Sequence, residues 1–397
     1  MLKIKSKKLL RLLVLCFAIC LAIVLSFGNT FVSSASGKKV IKIGVNDVLS
    51  GTGAQYGQRN LEGLRLAIDE INQKGGINGA KIELLVFDNK FDKAEALNIA
   101  TRLATKEKVL AIVGLSTSGT AKSASLAAEK YKVPLITGNA VAETVTVDER
   151  TGKTKKYVFR ICFSSSIEGA LISKFTISSL KLKNVAIVYN ASNDYSKEVT
   201  KGFEEAFTKA GGKVVMKEAF SQGEQDFRSI LTKIKAKNPQ AIITPVYYDE
   251  AGLIIKQARE LKINVPIIGG DALDDPKTVE TAGREYCNNV YFVTFYSSQS
   301  PDKEVQDFVK RYKERYKVEP NSIAALGYVS GKFLIDAIKR ANTISDREKL
   351  REALEKTTNY RSIAGTISID SKHNGQHSGV VIEIQNGVMK FKGRITP

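Results

Sequence analysis

Short aliphatic runs alternate with amphipathic stretches along most of this chain. Ile41-Lys42-Ile43-Gly44-Val45 is followed by a glycine-containing loop and then a helical pattern over 58–72. There Leu61, Leu64, Ala67, Ile68 and Ile71 recur at helical spacing, while Glu62, Arg65, Asp69 and Glu70 take the other face. Lys74-Gly75-Gly76-Ile77-Asn78-Gly79 ends the helix, since glycine supplies the left-handed conformation of a helix stop. Strands are predicted at 82–87, 109–113 and 135–137, with helices at 92–105 and 119–130. This alternation predicts a parallel sheet with helices on both faces.

The beat restarts at 157–162. A helix at 166–180 follows, then strands at 185–189, 214–219, 241–245 and 266–268, with helices at 195–210, 226–237 and 249–261 between them. A strand at 290–295 precedes helices at 302–316, 322–341 and 346–357. The last 33 or so residues read as strands at 365–369, 380–384 and 389–391, the final pair joined by an Asn386-Gly387 turn. The fold class is therefore α/β, two doubly wound lobes. No Pro-, Ser- or Gly-rich linker separates the two series, so the chain is expected to cross between them as ordered segments, a hinge suited to rigid-body closing.

The first 35 residues fall outside this beat. Lys3, Lys5, Lys7, Lys8 and Arg11 precede an apolar run at 12–27 and the small residues Ser33-Ser34-Ala35. Basic, apolar, then small is the order of a Sec signal peptide, and the apolar run is shorter than the roughly 20 residues a membrane span needs. Cys16 and Cys20 follow the bulky Leu15 and Ile19, poor contexts for lipid attachment. The remainder is expected outside the cytoplasm. Removing the leader takes five positive charges from a formal net charge of +19 and leaves a basic chain. Its lysines are spread over nearly every predicted helix without aromatic interleaving, which points to a solvated surface rather than a nucleic-acid partner. Of the remaining cysteines, Cys162 sits in the apolar Val158-Phe159-Arg160-Ile161-Cys162 and reads as a buried core thiol, far in sequence from Cys287.

Candidate chemistry is sparse where catalysis would need it. Gly51-Thr52-Gly53-Ala54-Gln55-Tyr56-Gly57 follows a strand and opens a helix, yet its G-x-G-x-x-x-G spacing and the distance to Asp88 both miss the dinucleotide fingerprint. His373 and His377 lie in a loop and read as solvated, not as metal ligands. No G-x-S-x-G, P-loop or H-E-x-x-H occurs, so neither enzyme activity nor a cofactor or metal is expected. Small and polar residues gather instead at the strand ends, where open α/β sheets bind ligands. Gly114-Leu115-Ser116-Thr117-Ser118-Gly119-Thr120 leads into a helix whose first amides could seat a carboxylate. Gly138-Asn139-Ala140 follows the next strand. In the second series Asn190-Ala191-Ser192-Asn193-Asp194-Tyr195, Val246-Tyr247-Tyr248-Asp249 and Gly269-Gly270-Asp271 offer aromatic rings and a carboxylate.

IGVNDVLSGTGAQY at 43–56, GLRLAIDEINQKGGI at 63–77, IVGLSTSG at 112–119 and PLITGN at 134–139 resemble the branched-chain amino-acid-binding family, the type I periplasmic solute-binding proteins of ABC importers. VAIVYNASNDY at 185–195 and IKQA at 255–258 add to the resemblance, which covers essentially the whole mature chain. It implies a type I periplasmic binding protein fold with a three-segment hinge. One lobe would comprise 38–160 plus 296–364, the other 161–295 plus 365–397. It also implies a monomer that closes on a small amino acid and hands it to membrane permease subunits. Carried onto matching positions, the family's binding residues fall on Tyr56, Ser116, Ser118, Asn139 and Val141, with Ala140 between the last two, and on Tyr195, Tyr247 and Asp271. Ser118 and nearby amides would hold the ligand carboxylate, Asp271 its ammonium, and the tyrosines would line an apolar pocket.

Two positions depart from that pattern. Val141 stands where amino-acid-binding members often carry Thr, and Asn139 replaces a small residue. The alternatives are a related receptor for a small amide, a urea-like solute or an aromatic carboxylate, and an extracytoplasmic sensor subunit.

Overall fold

The computed structural model describes residues 39–376 and 378–397; the leader over 1–35 and His377 lie outside the described residues. The first beat forms β1 (Val40–Asp47), α1 (Ala54–Gln73), β2 (Lys81–Asp88), α2 (Lys93–Thr105), β3 (Ala111–Gly114), α3 (Ser118–Tyr131), β4 (Leu135–Thr137) and β5 (Val158–Arg160). Its strands make one all-parallel sheet in the order β2-β1-β3-β4-β5. Strands β3, β4 and β5 are buried at every position, which is why they read as unbroken apolar runs rather than alternating ones.

The second beat forms α4 (Ser165–Lys174), β6 (Asn184–Asn190), α5 (Asp194–Lys209), β7 (Lys213–Phe220), α6 (Arg228–Ala236), β8 (Ala241–Ile243), α7 (Tyr248–Glu260), β9 (Ile267–Gly269), α8 (Pro276–Ala282) and β10 (Val290–Thr294). After α9 (Lys303–Tyr316), α10 (Ser322–Ala341) and α11 (Arg347–Glu355) come β11 (Tyr360–Ser362), β12 (Gly365–Ile369), β13 (Gly375–Gln376), β14 (Gly379–Gln385) and β15 (Val388–Ile395). The second sheet runs β15-β14-β10-β9-β8-β6-β7. It is parallel from β10 to β7, but β14 and β15 join it antiparallel, so its edge departs from the expected all-parallel pattern. A further difference concerns β12, expected in the second lobe. It pairs with β11 and β13 in a small separate sheet rather than with the second large sheet.

The chain passes between the two large sheets three times, at 161–164, at 295–302 and between β12 and β14, where 370–376 are described. Phe163 and Phe295, on the first two passages, pack with centroids 4.1 Å apart and ring planes tilted by 37°. The third is tied to the first where the Arg160 amide donates to the His373 carbonyl at 3.0 Å. The first passage is buried throughout and bonded to the third, so these crossings are ordered segments, as a rigid-body hinge requires. His373 is accordingly not solvated, contrary to its loop reading: its ring stacks on Phe159 at 4.2 Å and its Nδ1 lies 3.0 Å from the Val158 carbonyl. Cys162 and Cys287 are both buried free thiols.

Helices α1 and α10 touch backbone to backbone through two glycines. A Cβ on Gly63 would sit 1.9 Å from the Ala324 carbonyl oxygen, and one on Gly327 would sit 2.1 Å from that of Asn60. This approach brings Asn60 and Ile323 to the ends of the first-sheet strands.

Candidate binding site

The carboxyl ends of strands from both sheets face one small cavity, lined by Tyr56, Ser116, Ser118, Asn139, Tyr195, Tyr247, Asp271, Ala272 and Ile323. It adjoins, at Tyr247, a larger groove of about 640 Å³ between the Gly51–Gln55 turn and the loops after β7 and β8. The first seven of the cavity's lining residues are positions expected to bind, six after strand ends and Tyr56 from the family resemblance; Ala272 and Ile323 were not foreseen.

On the first-sheet side the polar groups are organised by Asp47, the last residue of β1. Its Oδ1 accepts from the amides of Val48 at 3.0 Å and Ser116 at 2.9 Å, and its Oδ2 accepts from Ser116 Oγ at 2.9 Å and Asn60 Nδ2 at 2.8 Å. Burial raises the Asp47 pKa, against the pull of these bonds. Asn60 Oδ1 then accepts from Asn139 Nδ2 at 3.2 Å, leaving Asn139 Oδ1 buried and without a partner. Ser118 is the first residue of α3 and accepts from the Ala142 amide at 3.2 Å. The first-turn amides of a helix have no partner within it and favour an anion.

Ala140 and Val141 are fully buried but are not among the residues lining the cavity. Their carbonyls, with that of Ala142, accept from Arg160 Nη1. The Arg160 guanidinium is wholly buried and also donates to Asn374 Oδ1 at 2.6 Å and Thr146 Oγ1 at 3.3 Å. An arginine within an apolar strand sequence was the available signal. Its function is to hold the loop that carries Asn139.

From the second sheet come Tyr195 and Tyr247, stacked at 5.3 Å and 7°. Tyr56 crosses from the first: its hydroxyl donates to the Ala272 carbonyl at 2.8 Å and accepts from the Tyr248 amide at 3.0 Å. Its ring packs against Tyr247 and Tyr248 at 5.2 and 4.8 Å. Burial pushes the Tyr56 pKa well up, so the phenol keeps its proton and donates. Two further contacts join the halves. Lys93 Nζ lies 2.8 Å from Asp194 Oδ2, and the Glu198 carboxylate accepts from Thr144 Oγ1 at 2.7 Å. The structure is a closed arrangement.

Asp271 follows β9 and is 3% exposed. Behind it stands Glu168 of α4, whose Oε1 accepts from the Asp271 amide at 2.8 Å and from the Tyr195 hydroxyl at 3.3 Å. Asp271 Oδ1 and Glu168 Oε2 are both buried without a hydrogen-bond partner. Burial raises the pKa of both groups. Glu168 was missed in the sequence, although an acid one helical turn before the buried Leu171 and Ile172 marks it.

Two hinged α/β sheets closing their strand ends over a small polar and aromatic cavity define a solute-binding protein, and residues 40–388 match the periplasmic binding protein family, to which this chain belongs. That family works outside the cytoplasm, and among the described residues no helix is long and apolar enough to cross a membrane. A leucine-binding protein of Thermotoga maritima is 35% identical, with a TM-score of 0.84 over 90% of this chain and 99% of its own. The branched-chain amino acid transporter substrate-binding protein of Streptococcus pneumoniae, solved with isoleucine, is also 35% identical, with a TM-score of 0.83 over the same shares of the two chains. A solute-binding protein of R. palustris solved with benzoate is 25% identical, with a TM-score of 0.81 over 90% and 97%.

Proposed function

We propose that this chain is the extracytoplasmic receptor of an ABC importer and that it closes on a small apolar amino acid. The observation that carries the reading is the acceptor imbalance of the site. Asn139 Oδ1 and Asp271 Oδ1, from opposite halves of the cleft, are buried acceptors without a donor, and Glu168 Oε2 lies behind them. A buried unpartnered carboxylate oxygen is costly, and an ammonium group brings three donors and a positive charge. The α3 N-terminus, on the first-sheet side, suits the carboxylate of the same zwitterion, and Tyr56, Tyr195, Tyr247 and Ile323 suit an aliphatic side chain. Val141 lies off the cavity, so the absent Thr hydroxyl removes no group from its wall. The relatives solved with isoleucine or described as leucine-binding support the same class.

In this reading the three passages are the hinge between a lobe of 38–160 plus 296–364 and a lobe of 161–295 plus the C-terminal strands. The leader exports the chain, and a monomer in its closed form presents the surface that the permease recognises. A thermal-shift panel tests the ligand class. Leucine, isoleucine or valine should raise the melting temperature, whereas amides and benzoate should not. An aromatic acid or amide that stabilises the protein when no amino acid does would reject the amino-acid reading. An aromatic acid supplies no cation for Asp271, which disfavours that alternative.

A further inference from the structure

The cavity holds more acid than a single ammonium needs. Glu168 and Asp271 belong to the same half of the molecule, α4 and the turn after β9, so they are neighbours whether the cleft is open or closed. Glu168 is fully buried. Its Oε1 is saturated by the Asp271 amide at 2.8 Å and the Tyr195 hydroxyl at 3.3 Å, while its Oε2, like Asp271 Oδ1, is buried without a partner. Gly270 is what permits this approach: a Cβ there would lie 2.0 Å from Glu168 Oε1 and 2.5 Å from the Tyr195 hydroxyl.

The ionisable groups facing the pair come from every neighbouring element. They are Tyr195 of α5, Tyr247 before α7, Cys162 on the first passage and Asp274 after β9. All are acids. Arg160 acts on Cys162 but directs its hydrogen bonds to the 140–142 loop, Asn374 and Thr146. Two neighbouring bare carboxylates, surrounded by acids and closed off from water, cannot both stay ionised against one ammonium.

We propose that Glu168 is a positioning residue that enters the closed state as a carboxylic acid, its Oε2–H donating to Asp271, so that Asp271 alone carries the negative charge that meets the ligand's cation. The proton comes from solvent: closure on the ligand takes it up whenever the open, hydrated pair has lost it. This rests on the amino-acid reading above and adds that binding is coupled to a proton and is selective for a single positive charge.

Isothermal titration calorimetry with leucine or isoleucine between about pH 6 and about pH 9, in buffers of different ionisation heat, reads both affinity and protons taken up. Wild type should take up protons on binding and weaken with rising pH, towards roughly tenfold per pH unit once the open pair is ionised. Glu168→Gln keeps an acceptor for the Asp271 amide and Tyr195 hydroxyl and puts an N–H where the acid O–H stood. It should bind within about threefold of wild type at the acidic end and lose the extra pH slope. The ligand's own titration is common to both proteins and cancels in the comparison. Zero proton uptake by wild type, an equal pH slope in Glu168→Gln, or loss of binding by a folded Glu168→Gln at low pH would each overturn the proposal. If Glu168→Gln does not fold, the proton count on wild type decides alone. Absence of amino-acid binding by wild type at every pH would instead overturn the ligand reading, and this inference with it.

Discussion

Removing one oxygen from Tyr56 isolates the energy of closure from that of folding. The hydroxyl is attached to one half of the molecule and both of its partners, the Ala272 carbonyl at 2.8 Å and the Tyr248 amide at 3.0 Å, belong to the other. In the open state water satisfies all three groups. In Tyr56→Phe the ring still packs on Tyr247 and Tyr248, but closure buries a donor and an acceptor with no partner. Two neutral backbone groups left unsatisfied at about 1–3 kcal/mol each set the loss at about 2–6 kcal/mol. The whole of it falls on the closing equilibrium, so ligand affinity should drop roughly 30-fold or more. Calorimetry with leucine or isoleucine measures this, while thermal melting without ligand checks that the fold is intact. An affinity within about twofold of wild type would refute the reasoning, since the bridge would then contribute nothing to the liganded state. A drop in ligand-free melting that accounts for the affinity loss would refute it too.

Other outcomes follow from the same geometry. Asp271→Ala should cost about 2–5 kcal/mol of affinity for an amino acid, read by calorimetry, because the ammonium would be buried without its counter-charge. Arg160→Met should lower unfolding stability by about 3 kcal/mol or more in denaturant titration, since it leaves the 140–142 carbonyls and Asn374 Oδ1 unpaired in the core. Lys93→Ala should weaken binding by about 1 kcal/mol at most, because the Lys93 side chain is 56% exposed and its ion pair with Asp194 is screened. Cys162 and Cys287 should resist thiol reagents in the native protein and react together after denaturation. Burial raises both thiol pKa values, that of Cys287 to about 11.

The elements were largely legible in the sequence because their signals are local. The 322–341 helix matches α10 at both ends, since Asn321 accepts from the Ala324 amide and Asn342 turns left-handed at the stop. The short α8 was not foreseen: seven residues hold too few apolar positions to show a period, and its start rests on the Asp275 cap and Pro276. The cavity lining was legible wherever polar or aromatic groups sit at strand ends, as with Ser116, Ser118, Asn139, Tyr195, Tyr247 and Asp271. It was not legible for Asp47 and Asn60, which read as a strand end and a helix position and become site residues only by bonding to Ser116 and Asn139.

The two α/β beats, the ordered crossings and most of the polar tips were readable along the chain, because periodicity, caps and turns are written within a few residues of where they act. Tertiary structure alone decided that Tyr56 bridges the halves, that His373 is buried beneath Phe159, that β12 leaves the second sheet, and that Glu168 stands behind Asp271. Each of these depends on which distant groups share one low-dielectric space. Burial and pairing there set the energy of a polar atom, and neither is a property of the residue's neighbours along the chain.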